Sequence, residues 1–97
     1  MSTANNMGTA LVTGASSGIG ATYAERLAER GYNLLLVARD EQRLQRSSQR
    51  LQERFGVTAE VLIADLSEAI EIERVAQRLR RDHQISLLVN NAGVALS

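Results

Sequence analysis

The chain has 97 residues, 44% hydrophobic and 23% charged, with eleven basic residues against eleven acidic ones. That length holds one domain, and the neutral balance gives no footprint for nucleic acid or an anionic membrane surface. Cysteine is absent, which excludes disulfides and thiolate metal sites, and every basic residue is an arginine.

Residues 1–6 are small and polar, without the basic-then-apolar order of a signal peptide, and read as a flexible N-terminal tail. Residues 8–13 are short, apolar and β-branched toward their end, which suits a buried strand. After the glycine-rich stretch 14–20, Ile19, Tyr23 and Leu27, with the small Ala24 and Ala28, recur at helical spacing. Gly31 stands where a helix C-terminus wants a left-handed residue. Residues 34–38 form a second strand; this longest apolar run is far too short to span a bilayer, so a soluble cytoplasmic protein is expected.

Asp40 is placed to cap the next helix, whose Leu44, Ser48, Leu51 and Phe55 form one narrow stripe ended by Gly56. Arg43 occupies the position where a capping box needs Glu or Gln. Residues 57–64 read as a third strand. Ser67 is expected to cap a third helix, acidic early (Glu68, Glu71, Glu73) and basic late (Arg78, Arg80, Arg81), an order that suits the helix dipole. Its buried face would be Ile72, Val75, Ala76 and Leu79, and residues 85–89 make a fourth strand. The order βαβαβαβ demands parallel strands with right-handed crossovers. The expected fold is therefore α/β, the N-terminal half of a Rossmann-type doubly wound sheet, with residues 1–97 as a single, truncated domain. A chain of this size buries only a little over ~60% of its unfolded surface, so the fold alone would be marginal.

The turn from Thr13 to Gly20 leaves a strand and enters a helix, which is the context that a phosphate-binding turn requires. Gly14 would permit the tight turn, Gly18 would let backbone approach a pyrophosphate, and Gly20 would let helix and strand pack closely. Ile19 lies in the same turn, Ser16 and Ser17 add hydroxyl donors, and the helix N-terminus offers unpaired N–H groups to the anion. The spacing is Gly-x-x-x-Gly-x-Gly rather than Gly-x-Gly-x-x-Gly, and a glycine-rich turn also has purely structural uses.

Taken with Asp65-Leu66 after the third strand and Asn90-Asn91-Ala92-Gly93 after the fourth, this turn resembles the short-chain dehydrogenase/reductase family, from Gly8 to Gly93. The resemblance implies that residues 14–20 wrap a dinucleotide pyrophosphate. It implies that Asp65 and Leu66 border the adenine, the carboxylate accepting from its exocyclic amine. Asn90, Ala92 and Gly93 would lie under the adenosine ribose and brace the central strands. Asp65 also suits a plain turn or cap, and the asparagines also suit bracing without ligand contact.

Cofactor choice turns on the end of the second strand. An acid there would bind the ribose 2′-hydroxyl of NAD and repel a 2′-phosphate; Ala38 and then Arg39 stand there instead. A guanidinium clamps phosphate through paired hydrogen bonds, so NADP is expected over NAD. Asp40 is a competing partner for Arg39, Ser17 replaces the second basic residue that many NADP users carry, and a plain surface charge is the alternative reading.

Members of the family move hydride between nicotinamide C4 and a carbonyl or alcohol carbon. A tyrosine supplies the proton, and a lysine four residues on lowers its pKa. Here Tyr23 is followed by Leu27 and Tyr32 by Leu36, and the chain has no lysine, so no catalytic residue is assigned. His83 is a lone surface histidine, the arginines at 43, 46, 50 and 54 form a solvated face, and no metal site is expected. Two readings remain: the NADP-binding portion of an oxidoreductase, or a non-catalytic nucleotide-binding or interaction module that pairs with another chain. Both leave the fourth strand as an open edge, which predicts self-association or a partner chain.

Overall fold

A computed structural model of the protein describes residues 7–16 and 18–91. Its elements are β1 (Thr9–Thr13), α1 (Gly18–Glu29), β2 (Asn33–Ala38), α2 (Glu41–Phe55), β3 (Ala59–Ile63), α3 (Ala69–Arg81) and β4 (Ile85–Val89). The four strands form one parallel sheet in the order β3-β2-β1-β4. Residues 1–6, read as a tail, lie outside the described residues.

The topology follows from crossover handedness. Stepping from β1 to β2 to β3 moves outward in one direction, which places α1 and α2 on one face. The return from β3 past β1 to β4 runs the other way, so a right-handed crossover places α3 on the opposite face. Each face has its own core. Val12, Leu34 and Leu36 pack with Ala24, Ala28, Leu44 and Leu51, whereas Leu11, Leu35 and Val37 pack with Ala64 and Val75. The alternation explains why residues 34–38 read as one continuous apolar run: successive side chains enter different cores.

β4 departs from simple alternation. Thr9 pairs with Ile85 but Ala10 pairs with Leu87, so Ser86 is an extra residue. This bulge resets the faces. Ile85 joins the α3-side core while Leu87 and Val89 join the other. The Ser86 hydroxyl donates to the Met7 carbonyl at 2.6 Å, tying the bulge to the start of β1.

Asp40 caps α2 as expected, its side chain accepting from the Arg43 N–H at 3.2 Å. Ser67 does not cap α3. Glu68 is the N-cap, without a side-chain bond, and the Ser67 hydroxyl donates to Asp65 Oδ1 at 2.7 Å. The hydroxyl is turned onto a charged acceptor two residues upstream, and the helix begins one residue later than Ser67 would place it. The expected buried face of α3 is also only partly buried. Val75 is enclosed, but Ile72 remains 37% exposed and faces Leu88, 49% exposed, across an apolar groove lined also by Leu66, Ala76 and Leu79. Among the described residues, no strand beyond β4 lies beneath this side of the helix.

Arg78 pins α3 to the sheet. Its guanidinium donates in a fork to Glu60 on β3, at 2.7 and 2.8 Å, and through Nε to Asp82 at 2.9 Å. These bonds hold the Glu60 and Asp82 carboxyls below their ordinary values. Folded values below unfolded ones stabilise the fold above the ordinary carboxylate range, and that stability is lost as pH falls through the lowered values. With Glu60 and its partner open to solvent screening, Arg78→Gln should cost about 1 kcal/mol at pH 7. The cost should shrink toward pH 3, as read from urea midpoints. An equal cost at both pH values would contradict the pairing as its source.

Candidate functional site

Because the strands are parallel, the segments after β1, β2, β3 and β4 emerge at one edge of the sheet, and these segments carry the residues singled out in the sequence. Chain order reverses between β1 and β4, and ligands of open α/β sheets bind at such a reversal, beyond the carboxyl ends of the strands.

The β1–α1 turn is built from three glycines with three different needs. Gly14, at φ +61°, runs so close to β4's end that a Cβ would stand 2.8 Å from the Asn91 carbonyl oxygen. Gly20 is tighter still: a Cβ there would collide with the Gly14 carbonyl oxygen and meet Asn91 Nδ2. Gly18, at φ +60°, differs in kind, since nothing lies within 4 Å of its Cβ direction. Two glycines close the turn on protein; the third leaves backbone facing open space at the N-terminus of α1. The first turn of α1 carries no acidic residue to compete for its positive end. Ser16 is part of the turn and partly buried, Ile19 is exposed beside it, and Ser17 lies outside the described residues.

Thr13 joins the turn to β4. Its hydroxyl accepts the Asn91 N–H at 2.7 Å and lies 3.1 Å from Asn90 Oδ1, to which it donates. In the sequence, the signal for this role is a polar, β-branched residue ending an apolar strand. Asn90 and Asn91 therefore brace the glycine turn, while Ala92 and Gly93 lie outside the described residues. The turn is also held to β2, through the Ala15 N–H and the Val37 carbonyl at 3.2 Å.

Arg39 and Asp65 are brought side by side by strand register. Ala38 pairs with Ile63, and the Ala64 N–H donates to the Ala38 carbonyl at 2.9 Å. Asp65 Oδ1 accepts both the Ser67 hydroxyl at 2.7 Å and the Ser67 N–H at 3.0 Å. These bonds, hydroxyl first and amide second, hold the carboxyl below its usual value, and the nearby Arg39 charge adds to the effect. Arg39 is exposed and forms no ion pair among the described residues. The competition anticipated from Asp40 is not realised, because that carboxylate is committed to the α2 cap and to Arg43. Leu66 packs against the α3-side core and shares the groove with Thr13 and Asn90.

The chain matches the family described as short chain dehydrogenase over residues 8–97. It belongs to that family. A human relative, inactive hydroxysteroid dehydrogenase-like protein 1, is 39% identical over 85 residues, which cover 88% of this chain and 26% of the relative. Among solved structures, a short-chain dehydrogenase from Sphingobium yanoikuyae in complex with NADPH is 55% identical with a TM-score of 0.87, covering 89% of this chain and 34% of that one. A bulky-bulky ketone specific alcohol dehydrogenase from Comamonas testosteroni is also 55% identical, with a TM-score of 0.87, covering 91% of this chain and 36% of that one. The chain thus spans about a quarter to a third of the length of these short-chain dehydrogenase relatives.

The tyrosines of this short-chain dehydrogenase chain are not at the site edge. Tyr32 precedes β2, at the opposite end of the sheet, and Tyr23 is exposed on α1. Among the described residues, no cluster of His, Asp or Glu could hold a metal ion, and no helix is long and apolar enough to cross a membrane.

Proposed function

We propose that this chain holds the adenosine half of NADP(H) and is the cofactor-binding portion of a short-chain dehydrogenase/reductase-type oxidoreductase acting on carbonyl or alcohol substrates. The observation that carries the reading is the glycine turn, where two glycines are closed on protein and Gly18 alone opens outward at a helix N-terminus. A pyrophosphate fits that opening, taking the unpaired α1 N–H groups. Asp65 borders the adenine, Asn90 and its neighbours underlie the ribose, and the unpaired Arg39 meets a 2′-phosphate. The NADPH-bound relative supports the same choice of cofactor. When bound, the cofactor supplies the hydride; the proton-donating and substrate-binding residues of the full-length family are not assigned to this chain. A cytoplasmic location accompanies this reading.

Titrating the chain with NADPH and with NADH, by nicotinamide fluorescence, tests it. Tighter NADPH binding is the expected result. Equal affinities would overturn the NADP choice, and a folded chain that binds neither would overturn the site.

The second reading, a non-catalytic module that pairs with another chain, is favoured by one observation. The groove between α3 and β4 leaves Ile72 and Leu88 exposed beside a strand edge that is unpaired among the described residues. Edges of this kind recruit further strands. Self-association is therefore expected, and Leu88→Arg should shift sedimentation toward monomer. A wild-type chain that stays monomeric at high concentration would contradict it.

A further inference from the structure

We infer that Ser67 is a positioning residue of the adenine subsite, holding one oxygen of Asp65 so that the other is presented to the adenine's exocyclic amine and kept from Arg39. The inference rests on the reading of Asp65 given above and concerns a residue that reading does not use.

Both Ser67 donors go to the same atom. The hydroxyl and the amide converge on Asp65 Oδ1, at 2.7 and 3.0 Å. Two donors on one oxygen fix the carboxylate plane, and Oδ2 makes no hydrogen bond or ion pair among the described residues. Burial does not force this, since Ser67 is exposed. Nor does helix capping require it, because the α3 N-cap is Glu68, whose side chain makes no cap bond.

The second consequence concerns Arg39. Arg39 and Asp65 follow the paired ends of β2 and β3, where a guanidinium and a carboxylate are able to pair. Here they do not. A carboxylate already anchored through one oxygen leaves Arg39 available to a phosphate and Oδ2 available to an N–H donor. Removing the Ser67 hydroxyl takes away the shorter of the two bonds and leaves the amide alone on Oδ1. The carboxylate is then freer to turn toward Arg39, so adenine and 2′-phosphate recognition should weaken together.

The probes are NADPH and its hypoxanthine analogue, in which a carbonyl replaces the exocyclic amine. The wild-type chain should prefer NADPH. Ser67→Ala should weaken NADPH binding about 5- to 10-fold and erase most of the preference for the amine, while Ser67→Thr, which keeps a hydroxyl, should restore both. A thermal melt of each variant separates stability from recognition, since a merely structural turn residue would lower the melting temperature and leave the preference intact. Retention of the wild-type preference by Ser67→Ala overturns the inference, as does a Thr variant as impaired as the Ala one. A wild-type chain that binds both dinucleotides equally overturns the assignment of Asp65 itself. Binding of neither overturns the site.

Discussion

Replacing Arg39 with alanine is expected to weaken NADPH binding by about 10- to 100-fold, the loss of one or two charge-assisted hydrogen bonds, while leaving NADH affinity within about 2-fold. The asymmetry is the informative part. Arg39 makes no ion pair among the described residues, and it sits exposed at the end of β2. Its removal should therefore cost the fold little. The neighbouring Asp40 cannot take over, being an anion already engaged by the Arg43 N–H. Fluorescence titration of both cofactors, with circular dichroism on the same samples, gives the comparison. A parallel loss for NADPH and NADH would mean that Arg39 acts on the shared part of the dinucleotide or on the fold.

Gly20→Ala is expected to be the most damaging single-methyl change in the described chain, costing about 2–4 kcal/mol by overpacking against backbone. Its Cβ would run into the Gly14 carbonyl oxygen, which is backbone and cannot swing aside, and would also press on the Asn91 side-chain amide. Relief requires moving α1 away from β1, which also opens the Ala24 and Ala28 contacts of that core. A small half-sheet has few kcal/mol to lose, so the variant should be largely unfolded by circular dichroism. Gly18→Ala is the contrast. It meets no atom within 4 Å but sits at φ +60°, so about 1–2 kcal/mol of left-handed strain is expected. Its methyl would stand in the opening assigned to the pyrophosphate, so cofactor binding should suffer more than folding. Equal stabilities of the two variants would contradict the separate roles given to these glycines.

The fold was legible because its signals are local. Glycine and Asp punctuation at positions 14–20, 31, 40 and 56 marks the elements, and residues 34–38 announce a strand buried on both faces. Strand order is not carried by any residue and shows only in the pairing, after which crossover handedness decides the face that each helix covers. The β4 bulge was not legible, because Ser86 within residues 85–89 carries no turn or glycine signal, and only the pairing with β1 reveals the extra residue. At the site, the glycine turn, Arg39 and Asp65 were read from the chain because their chemistry is carried by residue type. The bracing role of the asparagines was read with them, but Thr13 and Ser67 were missed or given other roles because theirs depends on partners. Thr13 finds Asn91 across 78 positions, and Ser67 donates to a carboxylate two residues back while the helix starts after it. A capping serine and a carboxylate-positioning serine look identical in sequence.

The central claim is that this chain holds an adenosine 2′-phosphate site. Adenosine 2′,5′-bisphosphate, which lacks the nicotinamide half, tests it most directly when titrated into the isotopically labelled chain and followed by amide NMR shifts, with 5′-AMP as the comparison. Shifts concentrated at Gly14, Gly18, Arg39, Asp65 and Asn90, stronger for the bisphosphate than for 5′-AMP, are the predicted result. A dispersed, folded spectrum that neither ligand perturbs would contradict the account.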